Sequence, residues 1–276
     1  MSTKQMRHSL FKVHAVAAAL LLSGTCAWAE RPTDRYWAQL QGYWPSIEST
    51  ARADVLATGQ PGTEFSFESD LGLSDRKALP AVLLGMRFFD NWRLEFEYYS
   101  LERSATKTLG RQIVWDDTVF DIAAQLHSEF DSSIYRLTAG YSFLKSQDAE
   151  LGVSLGLHIT DFMVSLEGTS NVGIAFDREA KDALAPLPTL GLYGSYAFSP
   201  AFGVRARADY LSLKYQDYDG KLLNFEATLD WRFSQHFGAG LGYRYVDYRL
   251  DVTKSDWNGQ LKYKFNGPFV FLEAAF

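Results

Sequence analysis

The sequence predicts an all-β chain, a single antiparallel up-and-down transmembrane β-barrel of ten strands, with eight as the alternative count. Three observations predict it. Apolar and polar residues alternate with period 2 along most of positions 30–276, the pattern of strands with two unlike faces. Aromatic residues make up 15% of the chain and gather beside its short turns. The first 29 residues read as an export leader and not as part of the fold.

The leader has the parts of a secretory signal peptide. Lys4, Arg7 and Lys12 form a basic start, Val13 to Leu22 is apolar, and Ala27-Trp28-Ala29 puts small residues three before and one before a cut. Cleavage is expected between Ala29 and Glu30, leaving 30–276 as one barrel domain. The apolar run is shorter than the roughly 20 residues a spanning helix needs. Cys26 is the only cysteine and lies in the leader; Thr25 before it and Ser23 three before it do not suit lipidation. The mature chain therefore has no disulfide. Losing Lys4, Arg7 and Lys12 but no acid takes the net charge from −6 to −9. That balance argues against nucleic acid as a partner, because phosphate binding needs a basic face. A mean hydropathy of −0.17 excludes a helical membrane protein but not a barrel, half of whose residues face a polar lumen.

The strands follow in order. Trp92, Leu94, Phe96 and Tyr98 alternate with Arg93, Glu95, Glu97 and Tyr99. Phe202, Val204, Ala206, Ala208 and Tyr210 alternate with Gly203, Arg205, Arg207 and Asp209. Leu223, Phe225, Ala227, Leu229, Trp231 and Phe233 alternate with Asn224, Glu226, Thr228, Asp230 and Arg232. The period alone fits a soluble sandwich as well as a barrel; the turns decide between them. Short ones fall at Asp90-Asn91, Lys145 to Glu150, Ser199-Pro200-Ala201 and Ser234-Gln235-His236, flanked by Phe88, Phe89, Trp92, Phe143, Phe198, Phe202, Phe233 and Phe237. Around a barrel these form one ring at one interface, the depth aromatic rings favour. Longer polar loops near 50–77, 105–118, 167–187, 218–221 and 253–259 fill the other end, the layout of bacterial barrels. Strands are expected near 36–49, 78–89, 92–104, 119–144, 151–166, 188–198, 202–217, 222–233, 237–252 and 260–276. Asp131-Ser132-Ser133 is a possible bulge, and 63–68 a possible extension beyond the membrane.

The last strand alternates Val270, Leu272, Ala274 and Phe276 on one face. It resembles the C-terminal β-signal of outer-membrane barrels. Asp70-Leu71-Gly72-Leu73, Arg87-Phe88 and Gly242-Tyr243-Arg244-Tyr245 resemble recurring elements of small Gram-negative outer-membrane β-barrels of the OmpA and OmpW type. The resemblance extends over the mature chain, without the separate periplasmic domain of full-length OmpA. It implies the barrel fold, location in the cell outer membrane, outer-membrane lipid and lipopolysaccharide as surroundings, and the barrel assembly machinery as a partner of the last strand. It does not identify a role. A monomer is expected.

The lumen-facing set holds Arg87, Arg93, Arg136, Arg205, Arg207, Arg232 and Arg244 against Glu95, Glu97, Asp209, Glu226, Asp230 and Glu273. Near-balance suits a salt-bridge network filling a narrow barrel, since unpaired buried charge is costly. A charged channel lining is the alternative. Gly152 and Gly156, with Gly238, Gly240 and Gly242, leave either space or tight packing. No catalytic residue, cofactor or metal ligand is assigned. His127 lies near Ser128 and Glu129, His158 near Thr160 and Asp161, and His236 in a turn; each suits a structural or solvated role, and no cluster has transition-metal spacing. Asp116-Asp117 and Asp217/Asp219 are acidic loop spots that solvation explains. The expected role is structural or interactive and non-enzymatic, with a narrow channel for small or hydrophobic solutes as the alternative and a lipid-modifying enzyme behind both.

Overall fold

The computed structural model describes residues 33–55, 57–115, 118–169, 179–215, 217–253 and 258–276. The leader, with Ala27 and Ala29, and the Asp116-Asp117 pair lie outside the described residues. The strands are β1 (Tyr36–Tyr43), β2 (Ser46–Ala53), β3 (Phe65–Ser66), β4 (Leu79–Phe88), β5 (Trp92–Thr108), β6 (Ile113–Trp115), β7 (Thr118–Phe120), β8 (Gln125–Lys145), β9 (Ala149–Thr169), β10 (Glu179–Ala197), β11 (Phe202–Tyr215), β12 (Tyr218–Arg232), β13 (Phe237–Thr253) and β14 (Asn258–Ala275). All ladders are antiparallel.

Closure is made by β14, which pairs with β13 on one side and with β1 and then β2 on the other. Trp37 stands opposite Ala275 and Tyr43 opposite Phe269; after a break at Trp44-Pro45, Ser46 stands opposite Asn266. Pro45 has no N–H to give the ladder. β1 and β2 are thus one broken strand, and the ring runs through β4, β5 and β8 to β14 with ten members.

Three of the short turns share one device. Ser146, Ser199 and Ser234 each accept, at Oγ, the N–H of the residue three places on (Ala149, Phe202 and Phe237) at 2.9, 2.9 and 3.0 Å. A hydroxyl closing a turn on its own backbone keeps the reversal tight. The first turn differs. Three residues, Phe89 to Asn91, lie between the paired Phe88 and Trp92, and Phe89 and Asp90 take positive φ (47° and 57°). Lys145 Nζ donates to the Asp90 carbonyl at 2.7 Å.

Four expected details are corrected. The strand expected at 119–144 begins at Gln125, and Thr118–Phe120 pairs instead with Ile113–Trp115 in a separate hairpin; Ala123, at φ 66°, turns the chain between them. Register runs unbroken through Asp131-Ser132-Ser133, and the irregularity lies between Ser142 and Leu144. Residues 218–221 belong to β12 and are not a loop. Most consequential, the lumen is not polar throughout. Period 2 continues along each strand, but its sign inverts. On β5, Phe96 faces out and Glu97 in, whereas beyond Tyr99 the buried residues are Leu101 and Arg103 and the outward ones Glu102 and Ser104. On β14, Leu272 faces out and Glu273 in, while Lys264 faces out and Phe265 in.

The half nearer the loops therefore has an apolar interior. The segment carrying β3 and the β6–β7 hairpin insert Phe65, Phe67, Leu71, Leu73, Ile113 and Trp115, all buried. Phe67 packs on Phe130 at 5.1 Å, and Phe65 on Trp115 at 5.3 Å. The expected extension at 63–68 does pair with β2, but its phenylalanines point into the barrel. The inward glycines serve packing. A Cβ on Gly240 would lie 2.2 Å from Phe271 and 2.7 Å from the Leu229 carbonyl. Gly152 is covered by the Tyr193 ring in the same way. We expect Gly240→Ala to lower barrel stability by about 1–3 kcal/mol, the usual cost of overpacking, read from the urea midpoint of heat-modifiable gel migration; an unchanged midpoint would show that Phe271 is free to move.

Candidate functional site

The half nearer the short turns contains the charged network. Inward positions of neighbouring strands fall beside one another because antiparallel register aligns them. Gln39 faces Glu273 and Leu83 across its two ladders, Glu97 faces Arg136, and Glu226 faces both Arg207 and Arg244. Each of the thirteen charged residues expected in the lumen makes at least one ion pair.

The network has three parts. Against one wall, Arg87 grips Glu150 through both nitrogens at 2.8 and 2.9 Å. Ser142 donates to the same carboxylate and lies 2.9 Å from the Tyr193 hydroxyl. Arg93 pairs with Glu95 and lies between the Trp37 and Tyr193 rings, 5.0 and 4.5 Å from their centroids. Against the opposite wall, Arg205 joins Asp230 at 2.6 Å and Glu273 at 2.9 Å. Gln39 donates to Glu273 at 2.6 Å, and Arg232 reaches Asp34 at 2.6 Å and Glu273 at 3.8 Å.

The third part crosses the middle of the barrel. Arg136 bridges Glu97 at 3.0 Å and Asp209 at 3.4 Å. Arg207 lies 3.2 Å from Asp209 and 3.7 Å from both Glu95 and Glu226. Arg244 holds Glu97 and Glu226 together, with Nε 2.8 Å from Glu226. Above Arg244 the Tyr43, Tyr99 and Phe269 rings sit 5.5 to 5.7 Å from its guanidinium. This aromatic collar is where charged filling gives way to apolar filling, and cation–π attraction softens the boundary. A cavity of about 50 Å³ remains among Arg93, Glu95, Glu150, Arg205, Arg207 and Glu226. A water needs roughly 10–15 Å³, so the space suits a few waters.

Glu150 and Asp34 were not among the expected members. Glu150 had been assigned to a turn, although it continues the inward series Gly152, Ser154, Gly156. Glu68 was missed because it lies on an inserted segment and not on a strand; it pairs with buried Arg103 at 2.5 Å.

The histidines fall apart. His236 stacks on Phe276 at 4.9 Å. His158 is buried in the lumen wall, opposite Arg136. His127 faces outward above the apolar belt, Nδ1 2.9 Å from Thr106 Oγ1 and Nε2 3.4 Å from Glu129. Ser128, next to it, is buried and points the other way. Close by, Glu102 stands directly opposite Asp131; burial, helped by Glu102 and Glu129, raises the Asp131 carboxyl above its ordinary value. Among the described residues no group of three or more His, Cys, Asp or Glu is placed to hold a metal.

No family model matches the chain, and no curated protein matches it in sequence. Among solved structures, the outer membrane protease OmpT of Escherichia coli superimposes with a TM-score of 0.58 at 11% identity, covering 90% of this chain and 98% of that one. OprG of Pseudomonas aeruginosa gives 0.37 at 13% identity, covering 88% and 97%. Ail of Yersinia pestis gives 0.32 at 11% identity, covering 86% and 99%. The first of these carries the fold. With its own apolar outer surface (Leu40, Leu155, Leu190, Leu192, Leu241 and Leu272 all exposed), the chain is a transmembrane β-barrel with the fold of outer-membrane barrels.

Truncating Arg136 to Ala leaves Glu97 and Asp209 short of a partner in the barrel centre. The expected loss is about 3–5 kcal/mol, the cost of breaking a buried pair. Glu102→Ala on the outer wall relieves a like-charge contact and should stay within about 0.5 kcal/mol. Urea unfolding of both variants checks the contrast; equal midpoints would dismiss the network as a source of stability.

Proposed function

We propose that the protein is a sealed, non-enzymatic barrel of the Gram-negative outer membrane, with a structural or interaction role carried by its outward end. The observation behind this reading is that the lumen is filled twice, by paired charge in one half and by inserted aromatic side chains in the other. A barrel of about eight to ten strands has room for side chains and little else, whereas open aqueous channels come with about 16. Among the described residues the charged half keeps a cavity of only about 50 Å³, room for a few waters, which favours a sealed lumen over a channel.

Thr106, His127 and Glu129 stand in the order nucleophile, base and acid, but on an open wall. The backbone N–H groups of β8 beside them are engaged in its ladders with β5 and β9, and the His127 and Glu129 side chains are 42% and 35% exposed, so water is not kept from the three groups. That supports a non-enzymatic role.

In this reading residues 1–29 are an export leader, cut after Ala29. Insertion depends on the assembly machinery acting on the strand of Val270, Leu272, Ala274 and Phe276. The barrel is a monomer among outer-membrane lipids, with lipopolysaccharide at its outer rim. Lys221, Arg249 and Lys262 stand side by side across three strands just beyond Leu223, a row suited to lipid phosphate.

Planar-bilayer recording of the purified, refolded protein tests the sealed lumen: no openings above leak are expected, and stable unitary currents would overturn the reading. Removal of Phe276 should cut the amount inserted in the outer membrane while export to the periplasm continues. Normal outer-membrane levels of that variant would count against the role given to the last strand.

A further inference from the structure

The barrel wall is not continuous at the loop end. β4 stops at Leu79, where it faces Tyr43, and its ladder with β5 ends at Ala81 opposite Tyr99. β5 runs on to Thr108, and β2 runs on to Ala53. Between these two extensions lies a seam, bridged by no strand-to-strand ladder among the described residues. Outward residues on both sides are polar: Glu48, Thr50 and Arg52 on β2, and Glu102, Ser104 and Thr106 on β5. The seam therefore lies beyond the hydrocarbon, where an unpaired edge is tolerable.

Residues 63–78 cover the seam, and the two edges hold them differently. On the β2 side the contacts include backbone bonds. Ile47 N–H donates to the Asp75 carbonyl at 2.8 Å and Phe67 N–H to the Ser49 carbonyl at 3.1 Å, and Ser46 bridges to Arg76. On the β5 side the described contacts are made by side chains. Lys107 Nζ donates to the Ser69 carbonyl at 2.5 Å, Arg103 donates to the Ser74 carbonyl at 3.1 Å, and Lys77 donates to the Glu102 carbonyl.

At the centre is one carboxylate. Glu68 accepts from Ser49 N–H at 2.9 Å and Ser49 Oγ at 2.7 Å on the β2 side, and from Arg103 at 2.5 Å on the β5 side. Arg103 also donates to Ser49 Oγ at 2.8 Å, and its guanidinium lies 5.0 Å from the Phe130 ring. Arg103 is buried, and among the described residues Glu68 is the carboxylate that pairs with it. Without residues 63–78 in place, this charge would face an aromatic interior alone.

We propose that residues 63–78 form a strap, hinged on β2 and latched to β5 by Glu68, that closes a side entrance to the apolar upper chamber while the ring below stays shut. Behind it Phe67 packs on Phe130, and Phe130 on Phe162 and Tyr263, so a lifted strap withdraws its own side chains and leaves their place to an apolar molecule. The strap depends on the latch, and the sealed lumen on the charge network beneath it. An open strap over an intact network passes no ions, so the two readings fail separately.

The test is chymotrypsin digestion of the full chain in outer-membrane vesicles, with cleavage after Phe65 and Phe67 mapped by mass spectrometry. Both residues are buried and become available only when the strap lifts. When opening is fast, cleavage reports the open population. Glu68→Ala should be cut there about tenfold faster than the natural chain, or more, and Glu68→Gln, which keeps an acceptor for Ser49 but loses the charge, at an intermediate rate. Heat-modifiable migration should remain that of a folded barrel. Equal rates for the natural chain and Glu68→Ala overturn the proposal. So does a Glu68→Ala chain that never reaches the folded form, because the segment would then be a fixed folding element.

Discussion

The structure depends on one constraint: inside hydrocarbon a backbone N–H or C=O has no water to bind, so a sheet there must have no edge. The register between β1 and β14 meets it, from Trp37 opposite Ala275 to Tyr43 opposite Phe269. Tight turns follow, because ten strands must reverse at the interface without leaving backbone groups unsatisfied; three serines do this with one repeated hydroxyl contact. The aromatic residues beside those turns then sit at the depth they favour. Closure also explains why the β1–β2 strand breaks at Pro45 and not lower. The break lies at Trp44, where the outward surface is turning polar, and an unmade ladder bond is cheaper there.

Closing the ring creates an interior that must be filled. A narrow barrel does not hold bulk water, so inward side chains must satisfy one another. Two fillings are used. Charge works in the lower half because strands from all sides contribute: carboxylates of β5, β9, β11, β12 and β14 meet arginines of β4, β5, β8, β11, β12 and β13. Arg244 joins Glu97 of β5 to Glu226 of β12, nearly opposite in the ring. Such bridges brace the barrel across its diameter, which the ladder alone does not do. Above the aromatic collar the filling is apolar, and ten tapering strand ends do not supply enough of it. The inserted segments make up the difference with Phe65, Phe67, Leu71, Ile113 and Trp115.

Much of this was legible in the residues. Alternation along 92–99, 202–210 and 223–233 assigned the right faces, and the lumen arginines and carboxylates read from it do pair. The turn positions held to within a residue or two. What was not legible has a physical cause. A period of 2 states which residues share a face but not which face is inside, and polarity decides that only relative to the medium. Within lipid the outward face is apolar; beyond lipid the outward face meets water and the same strand inverts its pattern. The inversion was visible on β5, where Phe96 and Glu97 are followed by Leu101 and Glu102, yet it has meaning only once the membrane boundary is located. Glu150 was lost to a turn assignment at a strand end, and the Glu68–Arg103 pair joins a loop to a strand across 35 positions, a separation that no local pattern encodes.

The boundary that inverts the pattern also permits the seam. Below it, a gap between β2 and β5 would place unpaired backbone in hydrocarbon, and β4 fills that space. Above it, water relaxes the demand, β4 ends, and the wall opens on an interior that still needs apolar cover. A segment placed there has to meet two conditions at once: an apolar inner side for Phe130 and Phe162, and an anion for Arg103. Residues 63–78 meet both, with Phe65, Phe67 and Leu71 turned inward and Glu68 set between the two edges. A segment serving only as cover would need no buried charge, because replacing such a pair by apolar side chains of similar volume is often neutral or stabilising. The pair instead puts a charged contact at the centre of the closure, between β2 and β5 where no ladder among the described residues joins the two strands.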